Sequence, residues 1–268
     1  MSELELSFEK SVEENASDYF EKSKRAKRKL EGLKKAIVET KARLAQMEKQ
    51  NVVSVPSLVK KRKRKWFEDF HWFFSSDGFL VIGGRDAKSN ETVVKKHLEK
   101  GDKFLHADIH GGSACVVKAE GKEVSEKALE EASVFAAVFS RAWKQGLSSV
   151  DVYAVDSEQV SKHAMSGESL GKGAFMIYGK RQWFRKTPLN IFVGLRIEDD
   201  CPIIVCGPEQ AVKKNALAFV RVVQGSNENS KTAKEVLSFF EKKLGKKIGI
   251  HLDEIVSMLP AGGTRVVF

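Results

Sequence analysis

The residues best able to do chemistry fall into three stretches. The first is a run of six cations, Lys60, Lys61, Arg62, Lys63, Arg64 and Lys65, followed at once by Trp66, Phe67, Phe70 and Trp72. Fixed cations hold phosphates and aromatic faces stack on unpaired bases, so this pairing suits a polyanion that carries flat bases. A solvated linker entering an ordinary aromatic core accounts for the same residues, and composition alone does not separate the two. The second stretch is HADIHGG, residues 106–112, with His106, Asp108 and His110 on alternate positions. Alternate residues of a strand share one face at about 6.6 Å spacing, and imidazole and carboxylate both bind transition metals. Three ligands on a straight strand diverge from a single ion, however, unless the glycine pair bends the chain. The favoured role is a polar platform: His106 and His110 donate to phosphate or stack on a base, and Asp108 sets their tautomers.

The third stretch is the cluster Lys180, Arg181, Trp183, Arg185 and Lys186. It reads as a second cation-aromatic contact or as a segment linking two domains. Between these stretches lies Gly83-Gly84-Arg85-Asp86. It is a turn with an internal Arg–Asp pair, or a turn in which Arg85 faces a phosphate and Asp86 orients it. No phosphate-binding loop of the G-x-x-x-x-G-K-[ST] type occurs, and GESLGKG (residues 167–173) leads into a strand rather than a helix. No serine or cysteine has a convincing base nearby in the sequence, and no carboxylate pair has an informative spacing. The expectation is a binding protein with no cofactor, no metal and no catalytic residues. A hydrolase using His106, Asp108 and His110 on a metal is the rival.

The elements that must position these groups follow from periodicity. Residues 12–49 carry apolar positions at alternating spacings of three and four: Ala16, Ser23, Leu30, Ile37 and Leu44 on one seam, Val12, Tyr19, Ala26, Leu33, Thr40 and Met47 on the other. That spacing predicts a long helix with a coiled-coil seam, poor in its first half where small residues and the cations from Lys22 to Lys29 gather. Pro56 ends it. Short strands are predicted at residues 79–82, 104–109, 114–118, 150–155 and 174–178, with a short helix at 93–98. One long helix is predicted at 125–145, with Leu129, Ala132, Phe135, Phe139 and Trp143 on its apolar face. Beyond residue 190 come strands at 191–197, 203–205 and 219–223, a short helix near Gln210, a helix at 232–244, and closing segments at 252–259 and 264–268. Helices and strands alternate without a regular βαβ series, so the fold class is α+β: a coiled-coil helix, a mixed globular domain and a smaller C-terminal domain.

A chain of 268 residues with 42% hydrophobic content can build real cores. Its formal net charge of +10 fits a polyanionic partner. Glu3, Glu5, Glu9, Glu13 and Glu14 are unlike a secretory leader, and no run approaches the ~20 apolar residues of a membrane span. Cys115, Cys201 and Cys206 are too few and too scattered for a disulfide frame or a zinc site. A soluble, cytoplasmic protein without a membrane partner is expected.

Three longer blocks add to this reading: WFEDFHWFFSSDGFLVIGGRDAKSNE (residues 66–91), FLHADIHGGSACVVK (104–118) and QVSKHAMSGESLGKGAFMIYGK (159–180). They resemble the NFACT-R domain, the predicted RNA-binding module of the NFACT family of NEMF- and RqcH-like ribosome-associated quality-control factors. KSVEENASDYFEKSKRAKRKLEG (residues 10–32) is similar to the second arm of that family's coiled-coil hairpin, and residues 189–268 are similar to the C-terminal extension of archaeal members. QVSK at residues 159–162 matches the family's block, so the resemblance implies Lys162 as an RNA contact, while HAMS at residues 163–166 departs from the family's usual Ala-Pro in that loop. The resemblance implies a coiled-coil arm (1–52), an RNA-binding domain (53–187) and an extension (188–268). It implies tRNA, rRNA and the large ribosomal subunit carrying a stalled peptidyl-tRNA as partners. Some bacterial relatives carry a fibronectin-binding name, which makes an adhesin the second rival. The family's N-terminal domain and first coiled-coil arm have no counterpart in this sequence. The chain alone is therefore not expected to drive tail elongation, and its helix is expected to pair weakly with a second copy of itself.

Overall fold

The computed structural model describes residues 7, 10–50, 63–161, 171, 173–199, 201–245 and 247–268, with only the backbone of residues 43–50. Two units result, Met1–Leu58 and Val59–Phe268. The first is dominated by one helix, α1 (Val12–Gln50). Ser11 starts it through a reciprocal cap: its hydroxyl accepts from the Glu14 amide at 3.1 Å, and the Glu14 carboxylate accepts from the Ser11 amide at 2.8 Å. Asn15 folds the preceding chain onto the first turn through bonds to Ser7, Lys10 and Ser11. Leu30, Leu33 and Ile37, three large residues of the predicted seam, remain more than half exposed.

The second unit is built on a six-stranded antiparallel sheet. Its strands are β1 (His71–Phe74), β2 (Leu80–Gly83), β3 (Lys103–Ala107), β4 (Cys115–Val117), β5 (Ser149–Asp156) and, past the two-stranded ribbon of β6 (Val160–Ser161) and β7 (Met176–Ile177), β8 (Gln182–Pro188). The order across the sheet is β1-β2-β4-β3-β5-β8. Two of these strands are absent from the sequence reading. β1 lies inside the aromatic run, and β8 lies in the segment read as a linker or a cation-aromatic contact.

Strand alternation sorts the side chains onto two faces. Trp72, Ile82, Val116, Phe104 and Val155 form one row across five strands. Helix α2 (Ala87–His97) contributes Val93 and Val94 to the same core. Phe73, Val81, Cys115, Leu105 and Ala154 point the other way, toward α3 (Glu126–Val138), where Phe73 meets Phe135 at 4.8 Å between ring centres. Burying a side chain of that size stabilises by about 1.5–3 kcal/mol. Of the four aromatics that follow the basic run, Phe67, Phe70 and Trp72 are therefore core residues. Trp66 alone is exposed, stacked on His97 at 4.4 Å.

The helix predicted over 125–145 is broken. Ser140 leaves the helical path, accepts from the Ala142 amide, and starts a separate turn, α4 (Arg141–Lys144). Helix α2 starts well before residue 93, because Asp86 caps it by accepting from the Ser89 amide at 2.7 Å.

A second antiparallel sheet, ordered β10-β9-β11-β12, comprises β9 (Ile191–Glu198), β10 (Cys201–Gly207), β11 (Ala218–Asn227) and β12 (Thr264–Val267). Helices α5 (Glu209–Asn215), α6 (Asn229–Leu244) and α7 (Leu252–Met258) pack on it. Both sheets share one hydrophobic core. Trp143 Nε1 donates to the Gly263 carbonyl at 3.1 Å, Gln224 to the Leu147 carbonyl at 2.9 Å, and Lys214 to the Ser76 carbonyl at 2.5 Å. All three cysteines are buried, and no disulfide joins them. Among the described residues no helix is long and apolar enough to cross a membrane. The α+β class holds, with the long helix first.

Candidate nucleic-acid interface

A cleft of about 430 Å³ opens where three separate stretches of chain meet: the start of α2, the β3–β4 turn, and the loop leading into β7. Its floor is the sheet face bearing Phe104, His106 and Tyr153, and Phe175 stands at one side with its ring 6.0 Å from Phe104. The walls are largely backbone, which is why glycines recur here. A Cβ on Gly84 would lie 2.1 Å from Asn90 Oδ1 and 2.6 Å from the Asn90 amide. One on Gly112 would lie 2.8 Å from His106 Cε1. Gly173 combines a φ of +80° with an Ala87 contact at 3.0 Å. Asn90 fixes the geometry from beneath, donating to the Gly112 carbonyl at 3.2 Å and accepting from the Ala114 amide at 3.0 Å.

Across the sheet, His106 stands opposite Tyr153, and Tyr153 opposite Trp183. Their ring centres are 6.0 and 5.5 Å apart, so the three rings form a ladder over β3, β5 and β8. Guanidinium groups cover its end. Arg181 lies 4.7 Å from the Tyr153 ring centre, and Arg185 lies 4.0 Å from that of Trp183. Asp151 steadies Arg185 through a 2.6 Å bond. Burial pushes the His106 pKa down, against the pull of backbone groups at Ala107 and Gly112 and of Asp108. Burial likewise pushes the Tyr153 phenol up.

The HADIHGG segment does not lie on one straight strand. β3 stops at Ala107, and Asp108, Ile109 and His110 follow a bend. His106 and His110 both line the cleft, whereas Asp108 is exposed outside it. Among the described residues no group of three or more His, Cys, Asp or Glu side chains is gathered to hold a metal ion.

Arg85 also lines the cleft. Its guanidinium donates to the carbonyls of Phe70 at 3.0 Å and Glu68 at 3.4 Å, and Asp86 is occupied as a helix cap, so the internal Arg–Asp pair read from the sequence does not form and Asp86 does not orient Arg85. Lys180 and Arg181 are exposed at the entry to β8, and Lys63 and Arg64 are exposed ahead of Trp66. Lys60, Lys61, Arg62 and Lys162 lie outside the described residues.

Sequence reasoning missed Asn90, Phe104, Tyr153 and Phe175. Asn90 lies in a quoted block, but nothing local marks a buried bridging amide. Tyr153 reads as one more residue of an apolar strand until its partners across the sheet are known.

The cleft thus combines an aromatic floor, backbone walls and nearby guanidinium groups, a combination chemically suited to flat anionic ligands. Residues 69–179 match the family model described as the NFACT protein RNA binding domain. Over 207 residues the chain is 41% identical to the archaeal Rqc2 homolog aRqcH of Methanocaldococcus jannaschii, which covers 77% of this chain and 30% of that one. Over 196 residues it is 36% identical to the ribosome quality control complex subunit NEMF of Mus musculus, covering 70% and 18%. Among solved structures, the C-terminal part of the fibronectin/fibrinogen-binding protein from Streptococcus suis aligns with 78% of this chain and 81% of its own. At 19% identity and a TM-score of 0.40, that alignment carries no argument. The chain belongs to the NFACT family of ribosome quality-control factors. It spans less than a third of the length of the curated relatives named here.

Proposed function

We infer that this chain is the RNA-binding part of a ribosome-associated quality-control factor, acting on large subunits that carry a stalled peptidyl-tRNA. One observation carries the reading: all three sequence blocks contribute residues to a single cleft floored by Phe104, His106 and Tyr153, within the span that matches an RNA-binding domain. The contact residues are Lys60 to Arg64, Trp66, Arg85, His106, Asp108, His110, Lys162, Lys180 and Arg181. The cations hold phosphate, and the rings meet bases exposed in single-stranded regions. Residues 1–52 act as the coiled-coil arm and 53–187 as the RNA-binding domain. Residues 188–268 brace that domain, a role supported by the Trp143–Gly263 and Lys214–Ser76 bonds. The protein works in the cytoplasm as a binding protein and not an enzyme.

The test is co-sedimentation with purified ribosomal subunits, paired with filter binding to tRNA. Movement with the large subunit and retention of tRNA are expected. A chain that stays at the top of the gradient and retains no tRNA overturns the reading.

A further inference from the structure

We propose that the cleft over Phe104, His106 and Tyr153 takes a single unstacked base of an RNA strand, with the adjoining backbone held between Arg85 and Arg181. The proposal rests on the RNA-binding reading and adds what part of the RNA is gripped. Shape is the first argument. The cleft is about 430 Å³, and Gly84, Gly112 and Gly173 bring backbone into its walls at positions where a Cβ would press on Asn90, His106 or Ala87. Such a space admits one flat heterocycle and excludes a duplex, whose bases stay stacked inside the helix.

Ring placement is the second argument. Phe104 and His106 are parallel within 7°, Tyr153 is tilted 38° from His106, and Phe175 stands at 69° to Phe104. Phe104 is buried at the base, so the partly exposed rings of His106 and Phe175, with Tyr153 beside them, are the aromatic groups a base would meet. Since burial lowers the His106 pKa, its ring is neutral near pH 7 and stacks without first shedding a charge.

Charge is the third argument. Arg85 follows β2 and Arg181 precedes β8, so in the strand order they flank β3 and β5 from opposite sides. Arg85 is aimed by its bonds to Phe70 and Glu68, and Arg181 by its seat over Tyr153. Asp86, the one carboxylate among the described lining residues, is engaged by Ser89.

The experiment titrates the full chain, by fluorescence anisotropy, against a hairpin RNA bearing one bulged adenosine and the same hairpin with an abasic bulge. Stacking of one base on aromatic side chains is worth roughly 5- to 150-fold in affinity, so the adenosine hairpin is expected to bind about tenfold more tightly. Tyr153→Ala should erase that difference. Phe175→Ala, on the loop before β7, should reduce it even if the Tyr153 variant fails to fold. Arg181→Gln should weaken both hairpins alike and leave the difference standing. Adenosine monophosphate is added as a competitor. If it displaces the hairpin at the hairpin's own dissociation constant, the cleft is a free-nucleotide site and the proposal falls. Equal binding of both hairpins overturns the proposal while the RNA-binding reading stands. Failure of either hairpin to bind, with no tRNA retained on filters, removes that reading and this proposal together.

Discussion

Asn90 and Gly112 show how much of the cleft's shape rests on groups that need never touch a ligand. Asn90 is buried and bonds both to Gly112 and to Ala114, so Asn90→Ala leaves a buried backbone amide without its partner. A loss of about 1–3 kcal/mol in urea unfolding is expected, together with weaker RNA binding. Gly112→Ala pushes a methyl to within 2.8 Å of the His106 ring, so its effect should fall on RNA affinity more than on stability. Equal affinity for tRNA in filter binding would separate His106 from the interface. His71 gives a pH prediction of a different kind. It is stacked on Phe139 at 3.9 Å, its Nδ1 has no hydrogen-bond partner, and burial, helped by the nearby Arg85 charge, pushes its pKa down to about 3. The unfolded chain takes a proton near pH 6.5, so this contribution is complete above that pH and is lost as the pH falls from about 6.5 toward 3. Between pH 7 and pH 5 it amounts to about 2 kcal/mol. His97 and His106 are shifted the same way. His71→Phe, which keeps the stack, should flatten but not abolish the stability loss in chemical denaturation at the two pH values.

At the scale of elements, α1 and β8 illustrate opposite outcomes of the same reasoning. The heptad spacing was enough to predict a helix through residues 12–49, because a repeat of alternating three and four residues aligns side chains only on a helix. It leaves Leu30, Leu33 and Ile37 more than half exposed. If a second copy covers that seam, the apparent mass in sedimentation equilibrium should rise with concentration, weakly because Ala16, Ser23 and Ala26 add little burial. Leu33→Glu with Ile37→Glu should then hold the chain at monomer mass. A wild-type chain that stays monomeric at high concentration would remove self-pairing from the description. β8 does not read as a strand because Arg185 and Lys186 within it, and Lys180 and Arg181 just ahead of it, give the segment a charged composition. Thr187 and the ring of Trp183 supply its packing only once β5 is alongside. The break between α3 and α4 was also invisible to periodicity. The apolar face continues through Phe139 and Trp143, and it is the Ser140 cap that interrupts the helix.

On the scale of the whole molecule, the net charge of +10 predicts a salt-sensitive interaction with nucleic acid. Replacing Lys61, Arg62, Lys63 and Arg64 with alanine removes up to four phosphate contacts. The slope of log affinity against log salt for tRNA should become shallower by up to roughly three units. An unchanged slope would reduce those residues to a solvated connector, leaving Arg181 and Lys180 as the cationic part of the interface.

By itself the sequence determined the α+β class, the long first helix, most strands, and the stretches that carry the chemistry. Each of these is a local property, set by periodicity, turn residues or charge within a short window. What only the tertiary structure decided is which of those residues meet. Phe67, Phe70 and Trp72 had the composition of a base-stacking surface and became core, since strand alternation and the 3-10 turn before β1 point them inward. The straight His-Asp-His face dissolved because β3 ends at Ala107 and β4 must begin across a glycine turn. Tyr153 became part of the cleft floor because antiparallel register set it between His106 and Trp183. Register couples residues dozens of positions apart, and no short window of sequence contains that information.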